Sequence, residues 1–200
     1  MTGAGRVGLI AAVGLLAGVA TQLGQSLLPD GASQAANSIS PWLLVAFLLG
    51  SRMPDRRWAA LAGFGALAFA LLGYYGMVQL RFGYGGSTGA LVLWGIGALV
   101  GGPVFGVAGW TWRFEDGWRR STAIGLLAAV AIAEGGYLFG ILPEPAVGVA
   151  FILVGLCVPL VLGRGTAERA RAYLAVVPAL ALGVIGYIAF LWLATLTSML

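Results

Sequence analysis

The sequence predicts an all-α protein, a polytopic membrane bundle of seven transmembrane helices that forms one integral membrane domain over residues 1–200. Two observations predict this fold class. Of the 200 residues, 60% are hydrophobic and only 9% are charged, whereas a soluble domain carries about 25% charged residues. The mean hydropathy is +0.96, and the apolar residues form stretches long enough to cross a bilayer. A lipid bilayer is therefore the expected surroundings of the chain.

Seven apolar segments follow one another along the chain. The seven segments run over residues 7–28, 39–52, 58–80, 88–112, 121–142, 146–163 and 172–198. The first is not read as a signal peptide, because hydrophobic segments follow at once. The second is short for a span, so we expect it to tilt little or to enter from a loop that dips into the membrane. Ser38 or Ser40 can cap it, and Pro41 suits its first turn.

The later segments differ in their small and polar residues. The fourth carries Ala98, Gly102 and Gly106 at four-residue spacing, a row that lets helix backbones approach closely. Its Gly101-Gly102-Pro103 run is expected to bend it. The fifth contains Glu134, the only acidic residue well inside an apolar segment. The sixth and seventh are continuous apolar stretches.

The basic residues determine the predicted threading. All eleven are Arg, and in a seven-span arrangement ten of them fall in connections on one side. These ten are Arg6, Arg52, Arg56, Arg57, Arg113, Arg119, Arg120, Arg164, Arg169 and Arg171. Only Arg81 falls on the other side. The positive-inside rule then predicts a multi-pass cell-membrane protein with a cytoplasmic N-terminus and an external C-terminus. Because the orientation of the chain in the membrane accounts for the positions of the Arg residues, no nucleic-acid partner is expected.

An internal repeat is suggested by gapless alignments of the first with the fifth segment and of the third with the seventh. Arg6 matches Arg120, and Gly73-Tyr74 matches Gly186-Tyr187. We interpret residues 6–82 and 120–198 as two parallel three-helix units joined by a linking helix over 88–112, a 3+1+3 layout. Parallel repeats with a site between the halves occur in transporters. Chance similarity among helices cut to one bilayer thickness is the alternative.

Glu134 is the leading candidate for chemistry. A carboxylate at this depth costs on the order of a few kcal/mol and is usually functional. It is expected to be a proton-linked or cation-binding carboxyl, or a general acid; the alternative is a structural acid that is hydrogen-bonded to a Tyr or Gln. Tyr and Gln residues at similar depth are expected to line an outward-facing cavity, although a Tyr at a helix end is often an interface anchor. The predicted binding set is Glu134, Tyr137, Tyr74, Tyr75, Tyr187, Gln22, Gln25, Gln79 and Trp94.

Several kinds of chemistry are excluded by composition. The chain has no Lys and no His, and it has one Cys, Cys157. It therefore offers no Schiff-base lysine, no histidine ligand or base, and no internal disulfide. No cofactor and no metal site are predicted, and no phosphate-binding loop or nucleophile elbow occurs.

Several short motifs together resemble a family of small bacterial multi-pass proteins of unknown function. They are Asn37-Ser38 with Trp42, Ala46-Phe47 and Gly50; Gly73-Tyr74-Tyr75-Gly76; Gly102-Pro103-Val104-Phe105-Gly106; and Glu134-Gly135 with Tyr137. The resemblance covers most of the chain and implies a membrane protein without an assigned activity. SWEET-type transporters and integral membrane terpene cyclases are similar only in size and general layout. The intramembrane Asn pair of the former and the additional acids of the latter have no counterpart here.

Two functional hypotheses follow. In the first, the protein is a transporter of a small apolar or weakly polar molecule, with Glu134 at the interface of the repeats. In the second, it is a membrane-embedded enzyme such as a terpene (isoprenoid) cyclase, with Glu134 as general acid and aromatic residues that stabilise a carbocation. A structural membrane subunit is a third possibility. Whether the protein is an enzyme stays open at this point.

Overall fold

The computed structural model describes residues 2–36, 38–83, 88–142 and 144–197. Within these ranges the regular structure is entirely helical. The helices are α1 (Gly3–Leu27), α2 (Asp30–Ala36), α3 (Ile39–Gly50), α4 (Arg56–Phe82), α5 (Thr88–Phe114), α6 (Gly117–Gly140), α7 (Pro145–Leu162) and α8 (Thr166–Thr197). The predicted all-α class is confirmed, and each of the seven predicted segments is a helix.

Six of these helices are long and apolar enough to cross a membrane, namely α1, α4, α5, α6, α7 and α8. The remaining predicted segment, α3, has 12 residues and so extends about 18 Å. The short helix α2 precedes it and was not expected. Large apolar side chains face outward from the bundle, such as Leu80 at 82% and Val161 at 77% exposure, which fits lipid surroundings.

The helices pack as two groups. In the first group α4 lies between α1 and α3, and α5 packs along both α3 and α4. In the second group α6 lies between α7 and α8. Contact between the groups runs mainly between α5 and α6, with smaller contributions from α3 against α6 and α2 against α7.

This packing gives the predicted repeat no support. In the first group the third helix of the proposed unit, α4, is the central one, whereas in the second group the first helix, α6, is central. The segment proposed as a linking helix, now α5, is a full member of the first group. The 3+1+3 repeat over 6–82 and 120–198 therefore stays a prediction.

Glycines set the spacing inside the first group. A Cβ atom added at Gly63 would lie 1.9 Å from the carbonyl oxygen of Gly102, and one at Gly106 would lie 2.1 Å from that of Ala59. The row of small residues predicted in the fourth segment is thus the contact surface of α5 against α4. Nothing lies within 4 Å of a Cβ added at Gly97 on the adjacent face.

The predicted clustering of Arg at one end of the bundle is also observed. Arg56 forms an ion pair with Glu115, and Arg164 forms one with Asp116 at 3.2 Å. These pairs bring together the connections before α4, before α6 and before α8. We call this the Arg-rich end and the opposite end, which carries Arg81, the Arg-poor end.

Candidate functional site

Glu134 lies on α6 and hydrogen-bonds to the first turn of α3. Its Oε1 accepts a hydrogen bond from the backbone N–H of Ile39 at 2.8 Å. Its Oε2 accepts from the backbone N–H of Ser40 at 2.9 Å and from the Ser40 hydroxyl at 2.5 Å. The carboxyl group is partly buried. Glu134 therefore caps a helix from which it is separated by more than ninety residues of sequence.

The cap accounts for the backbone donors at the start of α3. The first four N–H groups of a helix have no acceptor within it. Here the N–H of Ser38 donates to the carbonyl of Ala35 at 3.3 Å, those of Ile39 and Ser40 donate to Glu134, and Pro41 has none. The Ser38 side chain, in the N-cap position, makes no capping bond. A carboxylate is also well suited to the positive end of the helix dipole.

The cap lies deep in the bundle. Glu134 follows Arg120 by fourteen residues, or about 21 Å along α6, and Arg120 is at the Arg-rich end. The length of α3, about 18 Å, then corresponds to the distance from the cap to that same end. The helix α3 is thus shorter than the six long helices and begins partway along α6; we call it the half-helix, and an entry from a loop that dips into the membrane stays a prediction.

A cavity of about 70 Å³ adjoins the start of α3. Four aromatic side chains and two aliphatic ones share its wall with two hydroxyl groups. The lining residues are Thr21, Ser38, Ile39, Trp42, Leu71, Tyr74, Tyr75 and Trp94. All belong to the first group of helices or to the turn before α3. We call this space the aromatic cavity.

Hydrogen bonds hold the aromatic residues of the wall in place. The indole N–H of Trp42 donates to the Thr21 hydroxyl at 2.7 Å, and the Tyr74 hydroxyl donates to Oε1 of Gln25 at 2.8 Å. The ring of Tyr74 lies edge-on to both Trp42 and Tyr75, with centroid separations of 6.4 and 5.1 Å. Such pairs fix ring orientation in addition to burying surface.

The structure brings part of the predicted binding set together. Tyr74, Tyr75 and Trp94 line the aromatic cavity. Gln25 does not line it but accepts a hydrogen bond from the Tyr74 hydroxyl. Gln22 is buried and bonds Ser26 and Arg81 instead. Gln79 is exposed near the end of α4, and Tyr137 is partly buried on α6 outside the cavity lining. The side chain of Tyr187 lies outside the described residues.

The predicted binding set omitted the aliphatic and hydroxyl residues of the cavity wall. The sequence also gave no indication that the charged side chain of Arg120 is buried. Trp42 was not among the predicted binding residues, although its place at the start of a short apolar helix was a usable signal. Arg120, read as a topology marker, is 3% exposed. Its Nε lies 2.9 Å from Oε1 of Glu168, and its guanidinium donates to the carbonyl oxygens of Trp112 and Leu162. No group of three or more His, Cys, Asp or Glu side chains comes together among the described residues.

A helical bundle with six membrane-length apolar helices, a half-helix and an internal cavity defines a multi-pass membrane protein. More particularly, the chain belongs to the family of unknown function DUF6518, whose model matches residues 1–193. The resemblance noted from the sequence motifs is thereby confirmed. Comparison with curated proteins and with solved structures found no match.

Proposed function

We propose that the protein is a small-molecule transporter that binds its substrate in the aromatic cavity and opens by movement between the two groups of helices. In this proposal the Arg-rich end faces the cytoplasm, as the positive-inside rule requires, and the cavity opens toward the outside. The substrate is a small molecule with a largely apolar surface, in keeping with the apolar and aromatic wall.

The observation that carries the proposal is the hydrogen bonding of Glu134 across the two groups. The wall of the cavity belongs to the first group, while the carboxylate that accepts the N–H of Ile39, one of the lining residues, belongs to the second. Apart from this cap, α3 and α6 make only slight contact. Breaking these three hydrogen bonds to uncharged donors would leave α3 and α6 joined by apolar packing, in the cluster that includes Phe47 and Leu127, and this packing would let α3 shift against α6. Several transporter folds contain helices that begin inside the membrane, with their N-termini at the substrate site.

The enzyme hypothesis has less support from the geometry. Glu134 acts as acceptor in each of its three hydrogen bonds and is not part of the cavity lining. A general acid must point its proton at the substrate within hydrogen-bonding distance. Glu134 would have to leave the start of α3 to do so.

Thiol labelling from each side of the membrane tests the transporter proposal. The only cysteine, Cys157, is exposed on α7, so Cys157→Ser gives a cysteine-free background. Thr21→Cys then places one thiol in the cavity wall, and a small membrane-impermeant methanethiosulfonate is applied to either side of oriented vesicles. We expect labelling from the Arg-poor side, with labelling from the Arg-rich side appearing when Glu134→Ala is added.

Two further single-cysteine variants serve as controls. Gln79→Cys, exposed at the Arg-poor end, and Arg57→Cys, exposed at the Arg-rich end, should each react from one side only, whatever residue is present at position 134. If Thr21→Cys also reacts from one side only in both backgrounds, the proposal of alternating access is overturned.

A further inference from the structure

We infer that the ligand of the aromatic cavity is a small alkylated ammonium ion. The inference rests on the proposed function for its site and extends it to a substrate class. It is argued from the aromatic wall, the hydrogen bonds that the wall already makes, the nearby charges and the size of the space.

Aromatic side chains from three different helices line the cavity. Trp42 comes from α3, Tyr74 and Tyr75 come from α4, and Trp94 comes from α5. Tryptophan and tyrosine faces attract a cation within about 6 Å of the ring centroid, and the attraction is strongest where water is excluded. Aromatic walls of this kind hold quaternary ammonium groups without any direct ion pair.

Three hydrogen-bond donors at the cavity are engaged within the protein. The Trp42 indole N–H is bonded to Thr21, and the Tyr74 hydroxyl hydrogen is bonded to Gln25. The N–H of Ile39 is bonded to Glu134. An anionic or strongly hydrogen-bond-accepting ligand would need such donors. With these three donors engaged, the aromatic rings and hydroxyl oxygen atoms of the wall favour electropositive or apolar molecules.

Two charged side chains lie near the cavity without lining it. The Glu134 carboxylate is joined to the wall through the backbone of Ile39. Arg81 donates to Oε1 of Gln22, the residue after Thr21, at 3.3 Å. None of the residues described as lining the cavity is charged. A cation inside would therefore be attracted by Glu134 and repelled by Arg81, whereas a neutral ligand would respond to neither.

The volume limits the ligand to a small head group. A space of about 70 Å³ has room for roughly five to seven water-sized groups, given 10–15 Å³ for each. One nitrogen and four carbons, as in a tetramethylammonium ion or a trimethylammonium head group, match that size. The same group occurs in free small molecules and in phosphocholine lipid headgroups, and the experiment distinguishes these sources.

Calorimetric titration of the full-length protein in phosphatidylglycerol nanodiscs tests the inference. Choline chloride is compared with 3,3-dimethyl-1-butanol, its neutral isostere. We expect choline to bind at least tenfold more tightly than the alcohol. Trp94→Leu should weaken choline binding at least tenfold, while Trp94→Phe, which keeps an aromatic face, should weaken it less. Competition by dihexanoyl-phosphatidylcholine at lower concentration than choline would identify the lipid headgroup as the source.

The variant Arg81→Gln tests whether the bound ligand is charged, because it removes a charge near the cavity without changing a residue of the cavity wall. Removing the like charge should tighten choline binding a few-fold and leave the alcohol unaffected, and the unfolding midpoint of each variant reports whether it is folded. Equal binding of choline and alcohol, or no binding of choline to folded wild-type protein, overturns the inference.

If the Thr21→Cys labelling still alternates in that case, the transporter proposal survives with another ligand class. If choline binds and labelling does not alternate, the site stands and transport fails.

Discussion

Helix α6 carries two charged side chains that both bind the ends of other helices, but in different ways. Arg120, at the Arg-rich end, donates to carbonyl oxygens near the C-termini of α5 and α7 and pairs with Glu168. Glu134, about 21 Å further along, accepts from the N-terminus of α3. Each charge thus matches the sign of the helix end that it meets.

The difference between the two sites lies in their partners. Arg120 has a formal counter-charge and stacks on the ring of Trp112 at 5.4 Å, so it joins four helices at one point. Glu134 accepts hydrogen bonds from three uncharged donors, all of which belong to Ile39 and Ser40 of α3. We conclude that Arg120 is a fixed structural joint, whereas Glu134 is a link between the two groups that can be broken at moderate cost.

The largest effect is expected at Arg120. Arg120→Met would remove the counter-charge of the buried Glu168 carboxylate and one donor to each of the Trp112 and Leu162 carbonyl oxygens. A buried pair that loses one partner costs about 3–5 kcal/mol. The free energy of unfolding in mixed micelles measures this loss. The neighbouring Arg119 is 74% exposed and pairs with Glu115, so Arg119→Met should cost less than about 1 kcal/mol. Equal losses would contradict the proposed role of Arg120.

A smaller effect is expected at Glu134. Glu134→Ala removes the acceptor of two backbone donors and one hydroxyl, which should cost about 2–3 kcal/mol. Glu134→Gln keeps one acceptor oxygen and should cost about half as much. The control is Glu144→Ala, because Glu144 occupies the N-cap of α7 without a capping bond. If Glu134→Ala lowered the free energy of unfolding as much as Arg120→Met, the two residues would not differ in structural role.

Packing inside the first group should be affected by Gly106→Ala and not by Gly97→Ala. The added methyl at Gly106 would meet the backbone of α4, while that at Gly97 would meet open space. We expect a loss of about 1–2 kcal/mol at Gly106 and no loss at Gly97, where alanine favours the helix. Unfolding in the same micelles compares the pair. Similar results at both positions would show that α4 and α5 are less closely packed than described.

The smallest effect concerns pH at the Arg-rich end. The hydrogen bond from Arg56 holds the pKa of Glu115 below its ordinary value of 4.5. Stability from this pair is therefore present above about pH 4.5 and is lost as the pH falls through the lower value in the folded protein. Because Arg56 is half exposed, the gain is less than about 1 kcal/mol. The unfolding midpoint should decline less steeply below pH 4.5 in Glu115→Gln than in the wild type.

Much of the fold could be predicted because it depends on local composition. Runs of apolar residues define the long helices, and the row Ala98, Gly102 and Gly106 predicts a close helix contact. The partners of Glu134 and Arg120 could not be predicted, since hydrophobic periodicity does not say which distant backbone groups lack acceptors. The half-helix was visible only as an unusually short segment. Helix α8 begins at Thr166 rather than near 172, because its polar first turns are helical although they carry Arg169 and Arg171.

Amide hydrogen exchange at Ile39 and Ser40 tests the central claim most directly. These amides have no acceptor within α3, and they donate to Glu134. In nanodiscs we predict that both exchange slowly in the wild type and at least tenfold faster in Glu134→Ala, while amides in the middle of α3 change little. Equal exchange rates at Ile39 and Ser40 in the two proteins would contradict the assignment of Glu134 as the cap of the half-helix.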